Sequence, residues 1–280
     1  MTTLLLPGRS RAGSQLDWAH PLVGGLVGAW DFPEGDGAQT RGLTGRATFA
    51  SGMTWAPSSN GRVLRFPNNA TTGIVTIPDA PALNVFTDFT FFARVRREVT
   101  GAIQTIYSCS TWSVLLYSNN TIDLLLPGIA DNFSTGTVAD TLWHDVEVVK
   151  QGTAVTFYID AQPAGTATVT TPSAPSGDKF LGKDISFNVP WNGDMAAVLI
   201  WNRPQSPQMV RLASANPYAI YRPADAYVRT TVSAAPAPSV PEFAGSVTLA
   251  GASAATATLA GADAATATLA GASTGTATLA

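Results

Sequence analysis

In the stretch Trp143-His144-Asp145-Val146-Glu147-Val148, and again in Val155-Thr156-Phe157-Tyr158-Ile159-Asp160, apolar and polar residues alternate one for one. Successive side chains of a β-strand point to opposite faces, so one set turns to a core and the other to solvent. The reading buries Val146, Val148, Phe157 and Ile159 and exposes Asp145 and Glu147. A third strand places Phe89, Phe91, Ala93 and Val95 on one face and Thr90, Arg94 and Arg96 on the other. Phe92 interrupts that alternation and predicts a second face that is partly covered. The run Met195 to Trp201 is apolar on both faces, as in a strand covered from both sides.

Composition agrees with strands. Of 280 residues, 12% are charged, about half the usual quarter. The chain holds only four glutamates (Glu34, Glu98, Glu147, Glu242) and three lysines (Lys150, Lys179, Lys183). Helix surfaces draw on Glu and Lys, strands on Thr, Val and aromatics. A helical bundle or coiled coil is therefore excluded and an all-β chain favoured. The net charge of -3 carries no footprint for nucleic acid. The single Cys109 excludes an internal disulfide and a cysteine zinc site and reads as a small buried apolar residue. Two histidines, His20 and His144, exclude a histidine-rich metal centre. Met1 to Pro7 has no basic segment of the signal-peptide kind. The uncharged stretch Phe243 to Ala262 is mostly Ala, Gly and Thr, too weakly apolar for insertion in a membrane. The expectation is synthesis in a cytoplasm.

Four segments follow. Residues 1–20 read as an N-terminal arm, with Arg9 and Arg11 among Gly and Ser. Residues 21–223 carry short strands punctuated by Gly, Pro, Asn and Asp, the pattern of a sandwich or barrel. One helix is expected near their end, with Ser206 as N-cap and Pro207 at the first helical position. Residues 224–243 form a Pro/Ala-rich linker, semi-rigid through Pro236, Pro238 and Pro241. Residues 244–280 hold three ten-residue repeats, Gly251–Ala260, Gly261–Ala270 and Gly271–Ala280, each reading G-A-(S/D)-x-x-T-A-T-L-A after a shortened copy at Gly245–Ala250. One copy buries too little apolar surface to offset a backbone ordering cost of roughly 1–2 kcal/mol per residue. It needs stacking partners, its neighbours or other chains. The expectation is short β-strands in an intermolecular stalk, a homotrimer joined at an axis through Leu249, Leu259, Leu269 and Leu279.

Several motifs resemble a known family. Trp143-His144-Asp145-Val146 with Phe157-Tyr158-Ile159-Asp160 is similar to the paired "W-H-x-V" and "x-Y-[VIL]-D-G" segments of concanavalin A-like, laminin-G-like jelly-roll domains. Ala161-Gln162 stands where that family has a glycine turn. Leu26 to Phe32 resembles the opening strand, with Glu34 to Gly37 as its turn. Ile77-Pro78-Asp79 through Leu83 and Asp88-Phe89-Thr90-Phe91 resembles the "IPD … DFT" segment. Asn192-Gly193-Asp194-Met195 through Arg203 resembles the closing strand, with Gly193 directly before Asp194. The resemblance covers roughly residues 21–203 and implies a two-sheet antiparallel jelly roll. The flanks, Asp17-Trp18-Ala19-His20-Pro21-Leu22 and Ala215-Asn216-Pro217-Tyr218-Ala219-Ile220-Tyr221, resemble the borders of such domains in tailed-bacteriophage structural proteins.

This fold hosts lectins, hydrolases and structural modules alike. Hydrolases need paired carboxylates, and no glutamate here lies in an E-x-D-x-E arrangement. The chain reads as a non-enzyme, and His144, which follows the family tryptophan, as structural. No cofactor is required. The resemblance implies a calcium ion at the sandwich rim, for which Asp194 is the candidate ligand, with Asp31 and Asp36 near it. Sugar binding would rest on aromatics in loop-like segments with a neighbouring amide: Trp112, Tyr117, Trp191 and Asn192. Trp30, Trp143 and Trp201 read as core. The function implied is a virion-surface protein, a head decoration, head fibre or tail appendage, with a lectin-like module that adheres weakly and multivalently to polysaccharide. A decoration protein binding only capsid or tail neighbours is the alternative, and a glycan-processing enzyme the third.

Overall fold

A computed structural model describes residues 15–32, 38–43, 45–58, 61–185 and 189–222, and the backbone of four strands between 245 and 279. The N-terminal arm up to residue 14, the turn with Glu34 and Asp36, and the linker 224–243 lie outside the described residues. The chain divides into two compact units, Met1–Arg222 and Pro223–Ala280.

The first unit is a sandwich of two eight-stranded antiparallel sheets. One sheet runs Phe133–Thr137, Thr121–Leu125, Ser113–Leu116, Gln104–Ser108, Lys179–Leu181, Val75–Ile77, Gly45–Phe49, Gln39–Gly42. The other runs Gln162–Thr168, Ala154–Ile159, Trp143–Gln151, Phe89–Arg97, Asn192–Trp201, Gly61–Pro67, Thr54–Ser58, with Leu26–Trp30 also paired to Asn192–Trp201. Between them lies the main core. Phe89, Phe91, Val95, Val146, Val148 and Phe157 meet Ile106, Tyr107, Val114, Leu116, Ile122 and Leu124. Each such side chain contributes about 1.5–3 kcal/mol by leaving water. The inward set is the one the alternation marked, except that Ile159 is only half-buried.

The outer face of the second sheet differs from expectation. Asp145 and Glu147, expected in solvent, are 6% and 1% exposed. The cause is the chain's own flanks. Phe92, Leu199 and Trp201 on this face pack against Leu22, Leu26, Ala213, Tyr218 and Ile220, and the Trp201 indole N–H donates to Leu22 O at 2.6 Å. The one α-helix among the described residues, Pro207–Ala215, starts where the sequence placed it, and Ser206 accepts from Met209 N. It turns Val210 and Ala213 inward and leads into a 3-10 turn, Pro217–Ile220. Gln15–Leu16 then pairs with Tyr221–Arg222, so both flanks close together. The covered polar residues are satisfied by each other. Arg94 donates to both oxygens of Asp145, at 2.7 and 2.8 Å, and to Ser214 O at 2.5 Å. The Ser214 hydroxyl donates to Glu147 at 3.0 Å. Burial pushes the Glu147 carboxyl well above its ordinary pKa.

The hairpin between Ala154–Ile159 and Gln162–Thr168 turns on two residues, Asp160 (φ 50°) and Ala161 (φ 61°). A two-residue hairpin with both centres left-handed wants Asn-Gly. Here an aspartate and an alanine hold that conformation, and a β-carbon makes it costly.

In the second unit, four strands form: Gly245–Ala250, Ala254–Leu259, Ala265–Ala270 and Thr274–Leu279. The first pairs with the third and the second with the fourth, parallel and in register. Leu249 thus stands opposite Leu269 and Leu259 opposite Leu279. The repeats were expected to need stacking partners, their neighbours or other chains; within the chain, strands pair between alternate copies. A repeat lacking its own core is stacked on the copy two repeats away.

Candidate functional site

Cross-strand register assembles the site. Pairing of Trp143–Gln151 with Phe89–Arg97 sets Arg96 opposite Trp143 and Arg94 opposite Asp145. The Arg96 guanidinium lies 5.5 Å from the Trp143 ring centroid, a cation–π contact. Trp143 also packs against Ala56, Val63 and Ala196. Tyr218, in the flank that covers this face, borders an opening. This opening is a recess of about 240 Å³, walled by Trp143, Tyr218 and Ala196 and edged by Ser58, Arg94, Asp145 and Asp160.

The polar groups of the recess are held in place. Both Asp145 oxygens are fixed by Arg94 Nε and Nη2, while Arg94 Nη1 bonds to no described residue. Asp160 accepts from the Asp145 backbone N–H at 2.8 Å, and its other oxygen lies 2.8 Å from His144 Nδ1. His144 Nε2 lies 2.8 Å from Asp140. Burial pulls the His144 pKa down, but the hydrogen bonds to Asp140 and Asp160 outweigh it and the net shift is upward. The Asp145 carboxyl is raised by burial against the pull of Arg94. The left-handed backbone at Asp160 therefore sits in the residue that edges the recess, where strained conformations concentrate.

None of the residues offered as sugar or calcium ligands, Trp112, Tyr117, Trp191, Asn192 and Asp194, lines this recess. Trp112 is fully buried: its ring stacks on Phe89 with centroids 4.5 Å apart, and its indole N–H donates to Val85 O at 2.9 Å. Trp191 is fully buried too. Neither indole can meet a sugar from solvent, because the loops holding them fold inward over the core. Tyr117 is half-buried and edge-on to Phe133, at 4.9 Å. Asn192 is half-buried at a strand start, its carbonyl accepting from Glu98 N. Asp194 is not placed to hold calcium. It is fully buried, and both oxygens are taken by Arg65, at 2.8 and 3.0 Å, and by Arg96. Arg65 bonds onward to Glu98 at 2.7 Å. Gly193 before it has φ 147°, and a β-carbon there would meet Arg96 O at 2.1 Å, so glycine is required. Asp31 is buried, and among the described residues no three carboxylate, histidine or cysteine side chains are grouped so that they could hold a metal ion. The recess residues were visible only as parts of other patterns: Trp143 and Asp160 as family motif positions, Arg94 as a polar face, Tyr218 as a flank. One further carboxyl is buried on the first sheet. Desolvation raises Asp123 to about 7, although it accepts from Asn132 N at 2.9 Å.

The profile of the concanavalin A-like lectin/glucanases superfamily matches residues 69–211, half of the chain, and the chain belongs to that superfamily. Solved structures share the fold. Domain 4 of AbnA, a GH43 extracellular arabinanase from Geobacillus stearothermophilus in complex with arabinotriose, aligns with TM-score 0.57 at 14% identity, over 68% of this chain and 98% of that one. The binding domain of Paraclostridial Mosquitocidal Protein 1 aligns with TM-score 0.54 at 13% identity, over 69% of this chain and 52% of that one. Trypanosoma rangeli sialidase aligns with TM-score 0.54 at 16% identity, over 70% of this chain and 33% of that one. The chain thus spans about half of the toxin domain and a third of the sialidase. No curated protein matches by sequence.

Proposed function

We propose that the sandwich is a carbohydrate-binding module, carried on the surface of a tailed-bacteriophage virion as a head decoration, head fibre or tail appendage. The observation that carries the binding role is the recess. It joins an indole and a phenol to fixed hydrogen-bonding groups, the combination that ligand pockets use, on a fold of the lectin and glucanase class. The arabinanase domain with arabinotriose lends support by likeness of fold. The reading of binding without hydrolysis is supported by the carboxylates: Asp145 is locked to a guanidinium, and Glu147 is buried and bonded to Ser214. One shallow site binds weakly, so adhesion needs many copies. The virion setting rests on the flanking motifs, and the repeat unit is proposed as the element of self-association, a homotrimer through Leu249, Leu259, Leu269 and Leu279. The reading requires no cofactor.

A glycan array probed with the full chain tests it. Binding to one set of polysaccharide fragments is expected, lost in Trp143→Ala. Silence across the array would instead favour a decoration protein that contacts only virion neighbours, a reading to which the repeat coil already lends weight as a structural stem.

A further inference from the structure

Resting on the carbohydrate reading, we infer that Arg96, clamped by the buried Asp194, is a positioning residue: it holds the Trp143 indole in the orientation in which that ring walls the recess. The three residues stand in one cross-strand row. Strand pairing sets Trp143 opposite Arg96 and Arg96 opposite Asp194, and on the next strand Arg65 stands opposite Asp194. Neither Arg96 nor Asp194 lines the recess, so both act on it through the ring.

Trp143 lacks the restraints that fix other tryptophans of the sandwich. The indole N–H of Trp112 donates to Val85 O, and that of Trp201 to Leu22 O. Trp30 and Trp191 are fully buried in the core. Trp143 is half-buried, and its indole N–H bonds to no described residue. Its apolar neighbours, Ala56, Val63 and Ala196, have short side chains. Such contacts leave the second torsion of a tryptophan, which is intrinsically broad, weakly held. The directional contact is with Arg96, whose guanidinium lies 5.5 Å from the ring centroid, and a cation of this kind favours the face of an indole.

The guanidinium is itself immobilised. Asp194 is fully buried and accepts from Arg96 Nε at 3.0 Å and from Arg96 Nη2. Arg65 grips the same carboxylate at 2.8 and 3.0 Å, and its Nη1 is tied to Glu98 at 2.7 Å. The planar fork of an arginine loses little freedom per bond when held in this way, and a lysine has no such plane. A ring fixed before binding lowers the ordering cost that binding would otherwise meet. The buried carboxylate, which holds no metal ligand geometry, is accounted for as the anchor of this chain of contacts.

The test compares the full-length wild type with Arg96→Gln and Arg96→Lys. One readout is the heteronuclear NOE of the Trp143 indole N–H in a ¹⁵N-labelled sample without glycan. The other is affinity for a glycan that binds on the array. In the wild type the Trp143 value should match those of Trp112 and Trp201. In Arg96→Gln it should drop below them, and affinity should fall about fivefold, the size of one lost cation–π contact. Arg96→Lys keeps the charge without the plane and should fall between the two in both readouts. A Trp143 ring that is mobile in the wild type, or as rigid in Arg96→Gln as in the wild type, overturns the inference whether or not any glycan binds. So does a loss of affinity with an unmoved ring, or a loosened ring with unchanged affinity. Should Arg96→Gln fail to fold, the same readouts are taken on Arg96→Lys, where no change in either overturns the inference. If no glycan binds the wild type, the carbohydrate reading falls, while a ring that loosens in the variants still upholds the hold of Arg96 on Trp143.

Discussion

The two faces of the second sheet are both buried, and they are buried in different ways. Val146, Val148 and Phe157 face the first sheet in an apolar core. One residue out of step, Asp145 and Glu147 face the chain's own flanks, where a guanidinium and a hydroxyl satisfy them. The apolar face needs only shape. The polar face needs every partner present, because a buried charge without one costs several kcal/mol. Beside Tyr218 the same polar face opens as the recess.

The contrast can be broken by substitution. On the apolar face, Phe157→Ala should cost about 3–5 kcal/mol through the cavity left behind, read by denaturant unfolding; a loss under about 1 kcal/mol would mean the face is assigned backwards. On the polar face, Arg94→Met leaves Asp145 buried without its partner and should cost about 3 kcal/mol. Adding Asp145→Leu should restore most of that. If the double variant is as unstable as the single, the ion pair is not what satisfies this face.

Asp123 sharpens the comparison because it is buried without a cation. Its folded pKa is raised to about 7, so the folded state binds the proton more tightly than the unfolded chain, whose carboxyl titrates near ~3.9. The stability this contributes is complete below that lower value and is lost as pH rises through 7. The expected loss between pH 5 and 7 is about 2 kcal/mol, read from unfolding midpoints, and Asp123→Asn should flatten the slope. The smallest effect concerns the hairpin. Ala161→Gly relieves a left-handed alanine and should stabilise by about 0.5–1 kcal/mol, seen as a slightly higher melting temperature.

Much of the sandwich was legible in the sequence. Period-2 alternation marked the core face of three strands, and Phe92 announced a covered second face. Serine and proline at 206 and 207 marked the helix start. What alternation could not show was the cover itself: Asp145 and Glu147 read as solvent-facing until the flanks fold back over them. The same gap left the burial of the candidate tryptophans unseen. Trp112 and Trp191 sit among loop-type residues, and nothing local says that those loops turn inward. Asp194 read as a metal ligand because its partners, Arg65 and Arg96, are distant in sequence and meet it only through strand pairing. Trp143 was read as core because it lies in a strand, and it does pack, partly buried, against Ala56, Val63 and Ala196 while also lining the recess. In the second unit the ten-residue period pointed to strands in need of stacking, and register placed the partner two copies away in the same chain.

The central claim is that a sugar meets this protein at Trp143. The chain has seven tryptophans, and their indole N–H signals report separately in a ¹⁵N-labelled sample. Titration of the full chain with a glycan that binds on the array should move the Trp143 indole signal and leave those of the buried Trp30, Trp112, Trp191 and Trp201 unshifted. Movement confined to Trp18 or Trp55, or saturable binding that moves no indole, would contradict the account.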